Sequence, residues 1–459
     1  MAPTEFNTLA LRADMLSNLT SMGYQTMTPI QAASLPAVLD GQDVIAQAKT
    51  GSGKTAAFGI GLLTKIDAQK FSVQALVICP TRELADQVGK EIRRLARFTP
   101  NIKLLTLCGG APIGPQFGSL EHGAHIIVGT PGRIKKHLDK ATLSLEHVTT
   151  LVLDEADRML DMGFYDDIAA ILAQVPSRRQ TLLFSATYPA SIKALSARFQ
   201  KNAVDVKVEA THDDAHIEQV FYETSTQQKS TLLTALLAHY HPESTVVFCN
   251  TKVQCQDVAD NLVRAGFSAQ ALHGDMEQKD RDRVLILFSN KTNPILVATD
   301  VAARGLDVKD LQAVISFDLA FEADTHIHRI GRTGRAGKAG LALSLVTPAD
   351  AQRMIAIEEY QQAPLVYGNT SALLENRSEA KPQPMVTLCI NGGRKSKVRP
   401  GDILGALTGE AGIASEHVGK IDIFDNHAYV AIAQSVAQKA LKYLAEGKIK
   451  GRKFKVRKL

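Results

Sequence analysis

No stretch of this 459-residue chain approaches the ~20 consecutive apolar residues of a membrane-spanning helix, so no transmembrane segment is expected. The segment from Met1 lacks a basic start followed by an apolar run, so no cleaved secretory leader is expected. CxxC is absent as well. The five cysteines (Cys79, Cys108, Cys249, Cys255 and Cys389) are scattered, mostly in apolar runs that read as strands. That pattern speaks for buried reduced thiols and against a disulfide frame or a zinc site, and it predicts a cytoplasmic protein. A large net charge is missing too, at +5 for the whole chain. What is present is 45% hydrophobic and 22% charged residues, a soluble globular composition too long for one core. Two or three domains follow.

The near-neutral total hides an uneven distribution. Residues 381–459 carry fifteen Lys and Arg against six Asp and Glu, a balance of +9, while the rest of the chain balances at −4. Such asymmetry suggests an appendage that binds a polyanion; the bland alternative is a solvated basic tail.

Short apolar runs alternate with amphipathic stretches over residues 1–206. "DVIAQA", "ALVICP", "HIIVGTP", "TLVLDEAD" and "TLLFSAT" read as buried parallel strands, with helical patterns such as 82–98 between them. This is βαβ organisation and a doubly wound sheet. Polar "VEATHDDAHIEQ" reads as a hinge. A second α/β series covers 217–366, with "STVVFCNT", "SAQALHGD", "PILVATD", "AVISFD" and "LALSLVT" as strands. Residues 367–383 are polar and contain proline, so they read as a linker. Residues 384–459 follow a β-α-β-β-α-β order, which is ferredoxin-like.

In the first series, "AQAKTGSGKT" follows an apolar strand and opens a helix. Thr50, Gly51, Ser52 and Gly53 suit a phosphate-wrapping loop, with charge held by backbone N–H groups and the helix N-terminus. Lys54 can reach the β- and γ-phosphates, and Thr55 can bind Mg²⁺. The alternative is a plain Gly-Ser turn. "TLVLDEADRML" puts acids at the carboxyl end of a buried strand, where open α/β sheets bind ligands. Asp154 suits Mg²⁺ held through water, Glu155 suits orienting or deprotonating the attacking water, and Asp157 suits pairing with polar neighbours. Alone, this cluster could be a solvated strand end.

Asp154-Glu155-Ala156-Asp157 resembles the signature of the DEAD-box RNA helicases, and the other motifs of that family follow in order. The stretch from Gly23 to Gln31 resembles the Q motif. The resemblance implies that Gln31 reads the adenine edge, that Phe6 stacks on the base, and that Tyr24 lies in the same nucleotide-binding segment. Pro80, Thr81 and Arg82, then Gly109 and Gly110, then Thr130, Gly132 and Arg133 match segments that hold an RNA backbone. Ser185-Ala186-Thr187 matches the segment that couples ATP to unwinding. In the second series, Arg332 and Arg335 of "HRIGRTGRAG" match paired arginine fingers, which stabilise charge developing in phosphoryl transfer. Asp307 matches the ribose contact. Asn250, Thr251, Gln278, Arg281, Thr299 and Arg304 match RNA-facing positions. Asp300 belongs to the same segment as Thr299, and His328 stands between a bridging role and a nucleotide contact.

The resemblance thus implies two tandem RecA-like doubly wound domains using ATP and Mg²⁺. It also implies an RNA path held mostly through phosphate and 2′-OH contacts, with little sequence preference. The last domain has the strand order of an RNA-recognition motif, but its usual stacking aromatics are mostly missing. Tyr429 stands at one central-strand position, as either a stacking or a half-buried residue, with Cys389 and His427 nearby. Basic groups carry more weight here: Arg394, Lys395, Lys397 and Arg399 after the first strand, then Lys448, Lys450, Arg452, Lys453, Lys455 and Arg457 around the last. The alternation of Phe454 and Val456 with basic residues predicts one apolar and one cationic strand face. Together with "RPGDILGALTGEAGI" and "GKIKGRKFKVRKL", the arrangement resembles bacterial members whose terminal domain binds a hairpin of large-subunit (23S) ribosomal RNA during ribosome assembly. No obligate protein partner is implied. An ATP-gated RNA clamp that does not unwind is the alternative. A DNA helicase fits the adenine-reading segment and the Asp-Glu-Ala-Asp run less well. A small-molecule kinase leaves the second series unexplained.

Overall fold

The computed structural model describes residues 4–459 other than 49–51, 189, 209–216, 304–310, 335–338, 376–379 and 381–382. The chain forms two compact units, the first built on one sheet and the second carrying two further sheets. Among the described residues, no helix is long and apolar enough to cross a membrane.

Seven parallel strands form the first sheet: β1 (Val44–Gln47), β2 (Ala75–Ile78), β3 (Leu104–Leu107), β4 (Ile126–Gly129), β5 (Thr150–Asp154), β6 (Gln180–Ser185) and β7 (Val204–Lys207). Their order is β3-β4-β2-β5-β6-β1-β7. The central strands β2, β5 and β6 are buried at every position, because helices cover both faces, so they read as unbroken apolar runs. The edge strands β3 and β7 are partly exposed.

The second sheet has six parallel strands: β8 (Ile217–Glu223), β9 (Thr245–Phe248), β10 (Ala269–Leu272), β11 (Ile295–Ala298), β12 (Ala313–Ser316) and β13 (Gly340–Val346). Their order is β10-β11-β9-β12-β13-β8. Part of the expected linker is built into this body. The Phe221 N–H donates to the Val366 carbonyl at 2.8 Å and the Gly368 N–H to the Phe221 carbonyl at 2.9 Å, so the segment shields the edge of β8. Gly368 lies flat on Tyr222; a Cβ there would come within 2.2 Å of the ring. The helix Thr370–Glu375 then buries Leu373 in the core under this sheet.

An antiparallel sheet follows: β14 (Met385–Ile390), β15 (Val418–Ile423), β16 (Ala428–Ala433) and β17 (Val456–Lys458), in the order β15-β16-β14-β17. Strand alternation sends Val386, Leu388 and Ile390 into a core with the helices Pro400–Gly405 and Ala437–Glu446. Thr387 and Cys389 face the other way, yet both are fully buried. The second α/β body covers this face. The Thr387 hydroxyl accepts from Asn290 Nδ2 at 3.1 Å and meets the Thr292 hydroxyl at 2.7 Å. Lys420 reaches Ser289, and Ser268 reaches Gln383. The final strand is shorter than "RKFKVRKL" predicts. The strand Val456–Lys458 pairs with β14, after a tight turn that brings Ile449 and Arg452 together and places Phe454 over Gly392.

Candidate nucleotide and nucleic-acid sites

The turn after β1 leads into the helix Lys54–Lys65. Gly53 has φ +96°, and a Cβ there would come within 2.6 Å of the Gln31 amide, so glycine is required on both counts. The Gln31 side chain is 1% exposed; its Oε1 accepts the Thr28 N–H at 2.9 Å and its Nε2 donates to the Gly53 carbonyl at 3.1 Å. One amide N–H and one lone pair stay available for an adenine edge. Lys54 Nζ, buried, donates to the Ala48 carbonyl at 3.0 Å, across the turn. Among the described residues Ser52 Oγ is buried without a partner at the N-terminus of that helix, which suits a phosphate oxygen. Thr55 follows at its first turn. Thr50 and Gly51 lie outside the described residues. Phe6 offers no open face to a base: it is 4% exposed, edge-on to Tyr24, whose hydroxyl donates to Glu91.

At the end of β5 the chain bends sharply. Glu155 adopts φ 53° and ψ 51°, a left-handed conformation rare for a non-glycine residue, and caps the helix Ala156–Asp161. It is 4% exposed and lies 3.2 Å from Arg158. Burial pushes the Asp154 carboxyl up to about 7, against the pull of Lys54 and with a further push from Glu155. Asp154 Oδ1 is buried with no hydrogen-bond partner among the described residues. An orphaned carboxylate oxygen in that position fits a divalent cation. Among the described residues no group of three or more His, Cys, Asp or Glu could form a metal cage. Mg²⁺ requires none, since it keeps several waters and is held through one or two carboxylates plus substrate phosphates. Asp157 does pair with polar neighbours: its Oδ2 accepts the N–H groups of Ala186 and Thr187 at 3.1 and 2.9 Å and the Thr187 hydroxyl at 2.9 Å. The acid run and the Ser185–Thr187 segment are thereby one unit.

The opposite half of the first sheet gathers the expected RNA-facing residues. Pro80 follows β2, and Thr81 caps the helix Arg82–Leu95 by accepting the Leu84 N–H at 3.2 Å. The Arg82 guanidinium lies against Gly109, and Gly110 turns the chain with φ +78°. Thr130 precedes the helix Pro131–Asp139, which holds Gly132 and Arg133 in its first turn. Arg133 donates to Gln116 and to the Ala111 carbonyl. Burial and the neighbouring Arg82 both lower the Arg133 pKa. Two crowded guanidiniums beside helix N-termini are an anion-binding arrangement.

In the second sheet, the ends of β9 and β11 carry Asn250, Thr251 and Thr299. Asn250 is committed to the fold, with Nδ2 on the Leu319 carbonyl and Oδ1 taking Arg329. Its backbone N–H donates to Asp318. The Thr251 hydroxyl caps the helix Lys252–Arg264. Gln278 and Arg281 lie in the first turn of the helix Gln278–Ser289, and Arg281 reaches the His273 carbonyl. Thr299 is 8% exposed, and Asp300 forms a two-point ion pair with Arg329. His328 lies in the helix Ala323–Ile330, and Arg332 just beyond it is 9% exposed. Arg304, Asp307 and Arg335 lie outside the described residues.

The basic groups of the last domain converge. Lys450 Nζ donates to the Lys397 carbonyl at 3.4 Å, so the loop after β14 and the turn before β17 adjoin. Arg394, Lys395, Lys397, Arg399, Lys450, Arg452, Lys453 and Lys455 are all exposed. Tyr429 is half-buried in register with Cys389 and Asp422, and its ring is edge-on to Phe424.

Two hubs escaped the sequence reading. Arg329, fully buried, bonds Asp300, Asn250 and the Asp318 carbonyl. It stands inside "HRIGR", where a basic residue that is not a finger could have prompted a search for buried acids. Gln116 carries no such signal. All five cysteines are free; burial pushes the thiols of Cys79 and Cys249 well up, Cys108 up to about 12 and Cys255 up to about 11, so those four stay protonated.

Parallel sheets with a phosphate-binding turn and an acid pair at the carboxyl ends of their strands form the class of RecA-like ATPases. Comparisons narrow the class. DEAD/DEAH box helicase matches residues 28–195, helicase conserved C-terminal domain matches 228–337, and DbpA RNA binding domain matches 387–458. The chain is 56% identical to ATP-dependent RNA helicase DbpA of Escherichia coli (strain K12), over 99% of this chain and 100% of that one. It is 36% identical to ATP-dependent RNA helicase DbpA of Bacillus subtilis (strain 168), over 99% of each. Its fold is similar to S. cerevisiae Dbp5 bound to RNA and ADP BeF3, with TM-score 0.74, 29% identity and coverage of 81% of this chain and 97% of that one. The chain belongs to the DEAD-box family of ATP-dependent RNA helicases. Within the family it has the helicase core and the RNA-binding domain of the DbpA helicases.

Proposed function

We propose that this helicase is recruited to a hairpin of large-subunit (23S) ribosomal RNA and remodels neighbouring RNA helices during ribosome assembly in the cytoplasm. The observation that carries this reading is the convergence of two exposed basic loops, through Lys450 and Lys397, on a domain whose sheet face is already covered at Thr387 and Cys389. With stacking on that part of the sheet unavailable, a shaped cationic surface suits a folded hairpin better than a splayed single strand. The similarity to DbpA helicases over the full length supports the same target.

In the core, Gln31 selects adenine, Ser52, Gly53 and the helix N-terminus cradle phosphates, and Lys54 moves from the Ala48 carbonyl to the β- and γ-phosphates. Asp154 and Thr55 would hold Mg²⁺, which would supply neutralisation of phosphate charge. Glu155 orients the attacking water and takes its proton; Arg332 and Arg335 stabilise the transferring phosphoryl group. In the first unit Thr81, Arg82, Gly110, Thr130, Gly132 and Arg133 suit contacts to an RNA backbone; in the second, by itself, the segments of Asn250, Thr251, Gln278, Arg281, Thr299 and Arg304 suit the same.

The test compares ATPase stimulation by a ribosomal hairpin fragment with that by an unrelated hairpin of equal length. Neutralising Lys395, Lys397, Lys450 and Arg452 together is expected to abolish the preference and lower the salt dependence of binding, while the response to generic RNA at high concentration persists. A preference that survives places selectivity in the core. Substitution is a cleaner test than deleting the domain, because deletion strips Thr387 from Asn290 and Thr292.

A further inference from the structure

The geometry points to Gln116 as a positioning residue for RNA engagement, a role that rests on the RNA-facing reading of Gly109–Gly110 and of the helix Pro131–Asp139. Gln116 lies on the neighbouring helix Gly114–Glu121. Its Oε1 accepts from Arg133 Nη1 at 2.8 Å and from His137 Nε2 at 2.9 Å, while its Nε2 donates to the Cys108 carbonyl at 3.3 Å. The amide has only one workable orientation. A guanidinium can only donate, so oxygen faces Arg133 and nitrogen faces the carbonyl. The same oxygen requires His137 to carry a proton on Nε2, with Nδ1 toward the Thr142 hydroxyl at 2.9 Å.

These bonds clamp the glycine turn at both ends. Cys108, just before Gly109, is held by Gln116. Ala111, just after Gly110, is held by Arg133 Nη2 at 3.0 Å. Gln116 joins the two clamps, so turn, helix start and guanidinium form one braced surface. Two of the five Arg133 N–H groups are spent on Gln116 and Ala111; the others suit a phosphate. A free arginine would lose rotamer freedom on meeting RNA, whereas a braced one has already lost it, and preorganisation of this kind raises affinity.

The experiment is RNA-stimulated ATPase of the full chain, titrated with generic RNA, for Gln116→Ala, Gln116→Met, Arg133→Ala and the double variant Gln116→Ala/Arg133→Ala. Losing the brace is expected to raise the KM for RNA about tenfold, the size of one hydrogen bond to a charged group, with kcat at saturating RNA within about twofold. The double variant should cost less than the sum of the two single changes, because part of the Gln116 effect acts through Arg133. Gln116→Met keeps side-chain volume and carries the measurement if the alanine variant unfolds. An unchanged KM in the Gln116 variants beside a raised one in Arg133→Ala overturns the proposal, and so does additivity in the double variant. If Arg133→Ala itself leaves KM unchanged, the RNA-facing reading of this surface fails and takes the role of Gln116 with it.

Discussion

Glu155 holds a backbone conformation that costs a non-glycine residue about 1–3 kcal/mol, and it holds it at the tip of a buried strand beside Asp154. Strain kept at that point has a use if it aims the carboxylate. On the proposed role of Glu155 as base, Glu155→Gln retains the shape and removes that function, so ATP turnover in single-turnover assays is expected to fall by about 10²–10⁴. Nucleotide affinity, measured by equilibrium binding, should change little. Asp157 has a different duty. Burial alone would raise its pKa, but the N–H and hydroxyl of Thr187, the charge of Lys54 and the Ser185 hydroxyl together outweigh burial and hold the carboxyl below the usual carboxylate range. A depressed folded-state pKa contributes stability in full above the unfolded value of about 3.9 and loses it as pH falls through the folded one. Asp157→Asn is therefore expected to be less stable than the parent at neutral pH, with the gap closing below about pH 4. Denaturant unfolding across pH reads this directly.

At the scale of elements, the buried trio of Asn290, Thr292 and Thr387 joins the antiparallel sheet to the second α/β body. Thr387→Val leaves Asn290 short of an acceptor in a buried place and is expected to cost about 1–3 kcal/mol. Adding Asn290→Leu removes the orphan and should recover part of the loss, and a double-mutant cycle of unfolding free energies checks the coupling. Nothing in "MVTLCIN" announced this contact. Alternation showed that Thr387 and Cys389 share a face, but not that another body covers it. The apolar runs of β2, β5 and β6 were legible because helices cover both faces. The partly exposed β3 and β7 were not picked out, and Gly368, inside the stretch 367–383 read as a linker, bonds to β8. The turn after β1 was legible where backbone geometry dictates residue type, as at Gly53. Arg329 and Gln116 were not, because their value lies in partners distant along the chain.

For the whole molecule, the basic surplus is a fixed feature of the fold. Its loops sit on a domain attached through side chains on its sheet face, with Gln383 bonded to Ser268 as well. A basic group on a slack leash would concentrate RNA near the core in every orientation. A bolted one acts as a protractor. If those loops grip an RNA hairpin as proposed, the second α/β body faces one side of the adjoining helix, so the angle around that helix matters as much as the distance along it. Lengthening the spacer between hairpin and target duplex by half a helical turn is expected to cost more unwinding than lengthening it by a full turn. Duplex-release assays over a ladder of spacers should therefore oscillate with the period of the RNA helix, whereas a leash would give a smooth decline.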